Sequence, residues 1–84
     1  MPAAQVQPTY PPGEEPRVVQ AADGLWVIVR GGIAAQEWWD SDELEWVFDH
    51  TKDLGTHPER DDALREFASL TPAQLAAPVG VEVK

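Results

Sequence analysis

The spacing of apolar positions changes twice along this chain, and each change predicts a different element. From Arg17 onward Val18 and Val19 precede Asp23-Gly24, and Leu25-Trp26-Val27-Ile28-Val29 then forms a dense run of β-branched and aromatic residues. An Asp-Gly pair between two such segments predicts a two-residue hairpin turn, because glycine takes the positive φ that a tight turn requires. Within the second strand Leu25, Val27 and Val29 point to one face, whereas Trp26, Ile28 and Arg30 point to the other. Both faces are therefore expected to be at least partly covered. Gly31-Gly32 permits a second reversal. Residues 33–38 then return as a third antiparallel strand or begin a helix, since Ala34-Ala35-Gln36-Glu37 has poor strand propensity.

Beyond residue 40 the spacing reads as helical. Asp40 can cap free amides while Glu43, three residues on, completes a capping box, and Asp42 and Glu43 suit the positive end of a helix dipole. Leu44, Val47, Phe48 and Leu54 fall near one face, and Gly55 can end the segment in a left-handed conformation, so a helix is expected over 41–54. Thr56 with Glu59 repeats the start signal, with Pro58 inside the first turn. Ala63, Leu64, Phe67 and Ala68 supply the stripe of a second helix ending near residue 69. Thr71-Pro72-Ala73-Gln74 opens a short third helix that buries Leu75 and stops before Pro78. Residues 79–83 alternate apolar and small or charged residues and are expected to add an edge strand.

The first sixteen residues hold Pro2, Pro8, Pro11, Pro12 and Pro16 with few apolar anchors, so residues 1–16 are expected to be a disordered or extended arm, and 17–84 a single domain. In the other reading of this arm, Tyr10 beside Pro11-Pro12 docks as a short polyproline II segment on a partner or on the domain itself. A chain of 84 residues lies near the lower limit for unassisted folding, and it has no cysteine to staple it or to bind metal through thiolate. The core must come from apolar packing, with self-association as a further source of buried area. A reducing, cytoplasmic setting fits the absence of cysteine. The longest apolar run, residues 25–29, is far shorter than the roughly 20 residues needed to span a bilayer.

Charge sharpens this picture. Fifteen acidic residues against six basic ones give a net charge of -9. Such a balance disfavours direct binding to nucleic acid or to anionic membranes. Ten of the carboxylates (Glu37, Asp40, Asp42, Glu43, Glu45, Asp49, Asp53, Glu59, Asp61 and Asp62) lie between residues 37 and 62. On the expected helix Asp42, Glu45, Asp49 and Asp53 would form a continuous acidic ridge whose mutual repulsion a basic partner would relieve. A solvated helix face would carry the same pattern.

Trp38, Trp39 and Trp46 flank this ridge, and Trp26 brings the total to four tryptophans. Indoles fill cores, and they are also enriched at binding hot spots. Trp26 is expected in the core. Adjacent Trp38 and Trp39 cannot both enter one core from a regular strand, so at least one of them is expected at the surface or over an edge. Asp49, His50, Asp53 and His57 are the residue types that hold zinc, manganese or iron, but their spacing does not make them converge on one helix face. There is no GxSxG elbow, phosphate-cradling loop or HExxH pair, and no cofactor is expected.

The resulting expectation is an α+β fold: an antiparallel hairpin or three-stranded meander packed against two helices and a short third helical segment. The leading function is a non-catalytic interaction module presenting an acidic helix, such as an inhibitor, an antitoxin-like protein or an accessory subunit. Its partner would be a basic protein surface or the nucleic-acid groove of an enzyme, engaged through Trp38, Trp39, Asp42, Glu45, Trp46, Asp49 and Asp53. The alternatives are a small metal-dependent hydrolase or nuclease and a homo-oligomer sealed by tryptophans.

Overall fold

The computed structural model describes residues 10–32, 35–48 and 56–82. The chain is α+β: strands β1 (Arg17–Gln20), β2 (Trp26–Arg30), β3 (Glu37–Asp40) and β4 (Glu45–Val47) precede helices α1 (Arg60–Ser69) and α2 (Pro72–Ala76). The strands form one antiparallel sheet in chain order, β1-β2-β3-β4. A four-stranded meander thus replaces the expected two or three strands.

The first hairpin forms where the Asp-Gly signal places it, with a different turn. Gly24 N–H donates to Ala21 O and Ala21 N–H to Leu25 O, which is a four-residue turn ending in glycine at φ +87°. Asp23 Oδ1 accepts from Leu25 N–H at 3.0 Å. Gln20 is registered opposite Trp26, so the reversal is wider than a two-residue turn on Asp23-Gly24. The glycine supplies the left-handed residue that closes this longer loop. The third strand begins at Glu37, later than residues 33–38 predict, because the β-forming residues are Trp38 and Trp39 rather than the alanines before them.

The helix expected over 41–54 is absent over residues 41–48. Residues 41–44 are a loop and 45–47 are β4, with Trp38 opposite Val47, Trp39 opposite Trp46 and Asp40 opposite Glu45. The capping reading of Asp40 is locally right. Its Oδ1 accepts from Asp42 N–H at 3.0 Å and Glu43 N–H at 3.2 Å, and its carbonyl accepts from Leu44 N–H at 2.8 Å. Leu44 then sits at φ 55°, which stops the coil after one turn and returns the chain as a strand. Residues 49–55, including Leu54 and Gly55, lie outside the described residues.

The second expected helix begins later than the Thr56 cap predicts. His57 precedes Pro58, and a residue before proline is pushed to extended backbone. His57 uses that extension to pair with Trp26, with N···O distances of 2.7 and 3.0 Å. The N-cap of α1 is consequently Glu59, whose side chain makes no capping bond, with Asp61 and Asp62 in the first turn. The third expected helix is α2, opened by a complete Thr71/Gln74 capping box with Pro72 at its start. Of the expected edge strand over 79–83, residues 79–82 are described, and they contribute one parallel bridge between Val79 and Trp46.

Strand register sorts side chains between two faces. Ile28, Trp39 and Trp46 lie on the helical side and form the buried core with Ala77; Val18, Leu44, Phe67, Leu70, Leu75 and Val79 pack around them. Trp39 and Trp46 are 1% and 0% exposed, with ring centroids 5.3 Å apart in an edge-on arrangement. Burying each indole contributes at most roughly 4–6 kcal/mol from its area. Val27 and Val29 are buried on the opposite face, so both faces of β2 are covered. Trp26 is only half-buried and lies under the Arg60 guanidinium at 5.9 Å, outside the core cluster where it was expected. Its place at the end of β2, where the backbone pairs with His57, carries its ring past the helix-covered centre of the sheet.

Arg30 joins the sheet to α2. It is 5% exposed and enters the helical side, because β2 alternation puts it with Ile28. Its Nη2 and Nε reach Glu37 Oε1 at 2.8 and 3.2 Å, Nη1 donates to Leu75 O at 2.8 Å, and Nη2 also donates to Ala77 O. The guanidinium lies 4.3 Å from the Trp46 ring centroid, and Trp46 Nε1 donates to Gln74 O at 2.7 Å. The carbonyls at the C-terminal end of α2 are thereby met by Arg30 and Trp46.

Residues 10–16 are tied to the far end of β2. Gly31 N–H donates to Glu14 O at 2.7 Å, and Arg17 Nη2 donates to Gly31 O at 3.1 Å. Gly31 has φ +85°, and a Cβ there would lie 2.7 Å from the Ala35 carbonyl oxygen. Only glycine fits this junction. Among the described residues, no helix is long and apolar enough to cross a membrane.

Candidate functional site

The acidic, tryptophan-rich segment is built on the β3–β4 hairpin, where the strand period decides which residues can meet a partner. Trp39 and Trp46, both expected at a partner surface, face inward and are consumed by the core. Trp38 points to the opposite face, opposite Val29 and Val47, and is half-buried. One of the adjacent pair is thus more accessible than the other, and it is Trp38.

Asp42 and Glu43 stand exposed on the loop, while Glu45 on β4 is half-buried. The expected ridge at helical spacing does not form, because Asp42 is a loop residue and Glu45 a strand residue. Asp49 and Asp53 lie outside the described residues. What replaces the ridge is a shaped acidic tip. The amides of Asp42 and Glu43 are turned inward onto the buried Asp40 carboxylate, which holds their own side chains outward. Phe48, just past β4, is 62% exposed, the largest exposure among the described large apolar residues.

The base of this loop is fixed to α1. Ser41 Oγ donates to Glu66 Oε1 at 2.7 Å, and His57 Nε2 lies 3.0 Å from the same oxygen. The contact links the hairpin, the segment paired with Trp26, and α1 through one carboxylate. Sequence spacing gives no sign of it, since the three residues come from separate elements. As chemistry the trio is a brace: an activated serine needs its hydroxyl on the imidazole, whereas here both groups address the carboxylate.

Of the metal-type residues, only His57 is described, and its ring nitrogen is engaged by Glu66. His50, Asp49 and Asp53 fall outside. Among the described residues no group of three or more His, Asp or Glu side chains could hold a metal ion.

Comparison of the chain with protein-family models, with curated proteins and with solved structures gives no match in any of the three.

Proposed function

We propose that this protein is a non-catalytic interaction module that docks on a basic protein surface through the β3–β4 hairpin. The observation that carries this reading is one braced hairpin that leaves Asp42 and Glu43 exposed on its loop and Phe48 exposed at the other end of β4. Aromatic side chains are enriched at protein interfaces, and the carboxylates would steer a cationic partner into register. The basic surface includes the nucleic-acid groove of an enzyme, which would make the protein an inhibitor, an antitoxin-like protein or an accessory subunit. The cytoplasm is its proposed place of work, in keeping with a chain that has no cysteine.

Counter-charges on the remaining surface are few. Arg30 is buried against Glu37, and Arg17 is turned onto backbone carbonyls, so two of the six basic residues are engaged internally. The test is affinity capture from the source cell with the native chain and with a variant carrying Asp42→Lys, Glu43→Lys and Phe48→Ser. The native chain is expected to retain a basic protein that elutes as salt rises, and the variant to lose it while keeping its circular dichroism spectrum. Retention that ignores both salt and charge reversal would overturn the reading.

A further inference from the structure

We infer that the cleft between residues 10–16 and the two helices is a binding site for a small hydrophobic amine. The cleft measures about 320 Å³ and is lined by Tyr10, Glu15, Pro16, Phe67, Leu75 and Ala76, with Pro72 at its side. Its volume lies at the lower end of the range for small-molecule sites, which are apolar with a few placed polar groups. Here the placed charge is a single carboxylate, exposed at the edge of the cleft. Glu15 Oε2 accepts from Gly13 N–H at 2.9 Å, which holds the group while leaving further lone pairs for a donor.

Three features select a cation over a neutral or anionic ligand. Among the described residues Glu15 has no ion pair, since Arg17, two residues on, directs its guanidinium to the carbonyls of Glu15 and Gly31. Tyr10 and Phe67 bring aromatic rings to the same cleft, and such rings attract ammonium groups as well as apolar bodies. The overall charge of -9 disfavours an anionic ligand. An apolar body of one ring with a single ammonium group satisfies the lining, the volume and the charge together. This site is separate from the hairpin tip and does not rest on the proposed docking.

The experiment follows amide shifts of the full chain on titration with 2-phenylethylamine, 2-phenylethanol and 3-phenylpropionate. The amine is expected to saturate and to move Tyr10, Phe67 and Leu75, with an affinity about threefold above the alcohol's. Glu15→Gln should remove that advantage, and Ala76→Phe, which fills the cleft from an exposed position, should abolish the shifts. Equal affinity for alcohol or propionate overturns the inference. So do shifts confined to the acidic hairpin, absence of saturation below about 10 mM, or tighter binding of a lysine-containing peptide in the same cleft.

Discussion

Replacing Arg30 removes a side chain that meets Glu37 and the Trp46 ring within the sheet and the carbonyls of Leu75 and Ala77 at the end of α2. Arg30→Ala leaves the carbonyls of Leu75 and Ala77 without their guanidinium donors and strands Glu37, whose side chain is 21% exposed. It also takes the cation from the face of Trp46. Each carbonyl that loses its donor while screened from water costs about 1–3 kcal/mol. Breaking a largely buried ion pair by deleting one partner costs about 3–5 kcal/mol, and the cation–π contact adds about 0.5–2 kcal/mol. These contributions overlap, because they share one group, so the expected loss is about 3–5 kcal/mol rather than their sum. A domain of 84 residues has roughly 4–13 kcal/mol in total. Arg30→Ala should therefore bring the protein close to its unfolding threshold.

Arg30→Lys should lose about 2–3 kcal/mol, since an ammonium cannot address Glu37 and two carbonyls from one plane. Arg30→Met combined with Glu37→Leu should recover at least about 1 kcal/mol relative to Arg30→Met alone, because no bare carboxylate is left behind. Urea unfolding followed by tryptophan fluorescence and by circular dichroism measures all three. Arg30→Ala within about 1 kcal/mol of the native chain, at unchanged m-value, would refute this role of Arg30.

Trp39 and Trp46 are equally buried but differ in their indole nitrogens: Trp46 Nε1 donates to Gln74 O, whereas Trp39 Nε1 is buried without a partner. Trp46→Phe should therefore destabilise by at least about 1 kcal/mol more than Trp39→Phe in urea melts, and equal or reversed costs would contradict the assignment. Gly31→Ala should cost about 2 kcal/mol or more in a thermal melt, from its φ of +85° and the Cβ contact with the Ala35 carbonyl. At Asp40, alanine should cost about 1–3 kcal/mol, because two amides lose their acceptor, while asparagine should keep much of the native stability; equal loss from both would argue against the loop role.

The parts of the fold that could be read from sequence are those whose signals are unambiguous at short range. Gly24 and the flanking β-branched residues mark the first hairpin, and Thr71-Pro72 with Gln74 marks α2 down to its capping bonds. Period-two alternation also places Arg30 on the face of Ile28. Its contacts with residues 75 and 77 are long-range and leave no local trace. The segment after Trp38 is misread because its local chemistry serves two structures. An aspartate that accepts from the amides two and three residues on begins a helix, but it also shapes a four-residue hairpin loop. The choice is made at Leu44, whose left-handed conformation is stabilised by packing on the core rather than by any sequence preference. The β-forming run Glu45-Trp46-Val47-Phe48 was the available hint. Its two aromatics fall on one strand face, where Trp46 finds the core and Phe48 finds the solvent.

For the candidate site, the acidity of the segment and the unequal fates of Trp38 and Trp39 are legible in the sequence. The brace from Ser41 and His57 to Glu66 is not, because it depends on how hairpin, loop and α1 assemble in space.

The claim on which the rest depends is that residues 37–47 form a hairpin that turns Trp39 and Trp46 inward and leaves acidic groups outside. Trp46 O accepts from Gly80 N–H on the outer edge, so Trp39 and Trp46 form a non-hydrogen-bonded cross-strand pair. Their Cα atoms are then about 4.5 Å apart, with the Hα atoms facing each other. A nuclear Overhauser spectrum of the full chain should contain a strong Hα–Hα cross-peak between Trp39 and Trp46. Its absence, with Hα-to-amide cross-peaks three residues apart running through 42–48, would show a helix there and contradict the account.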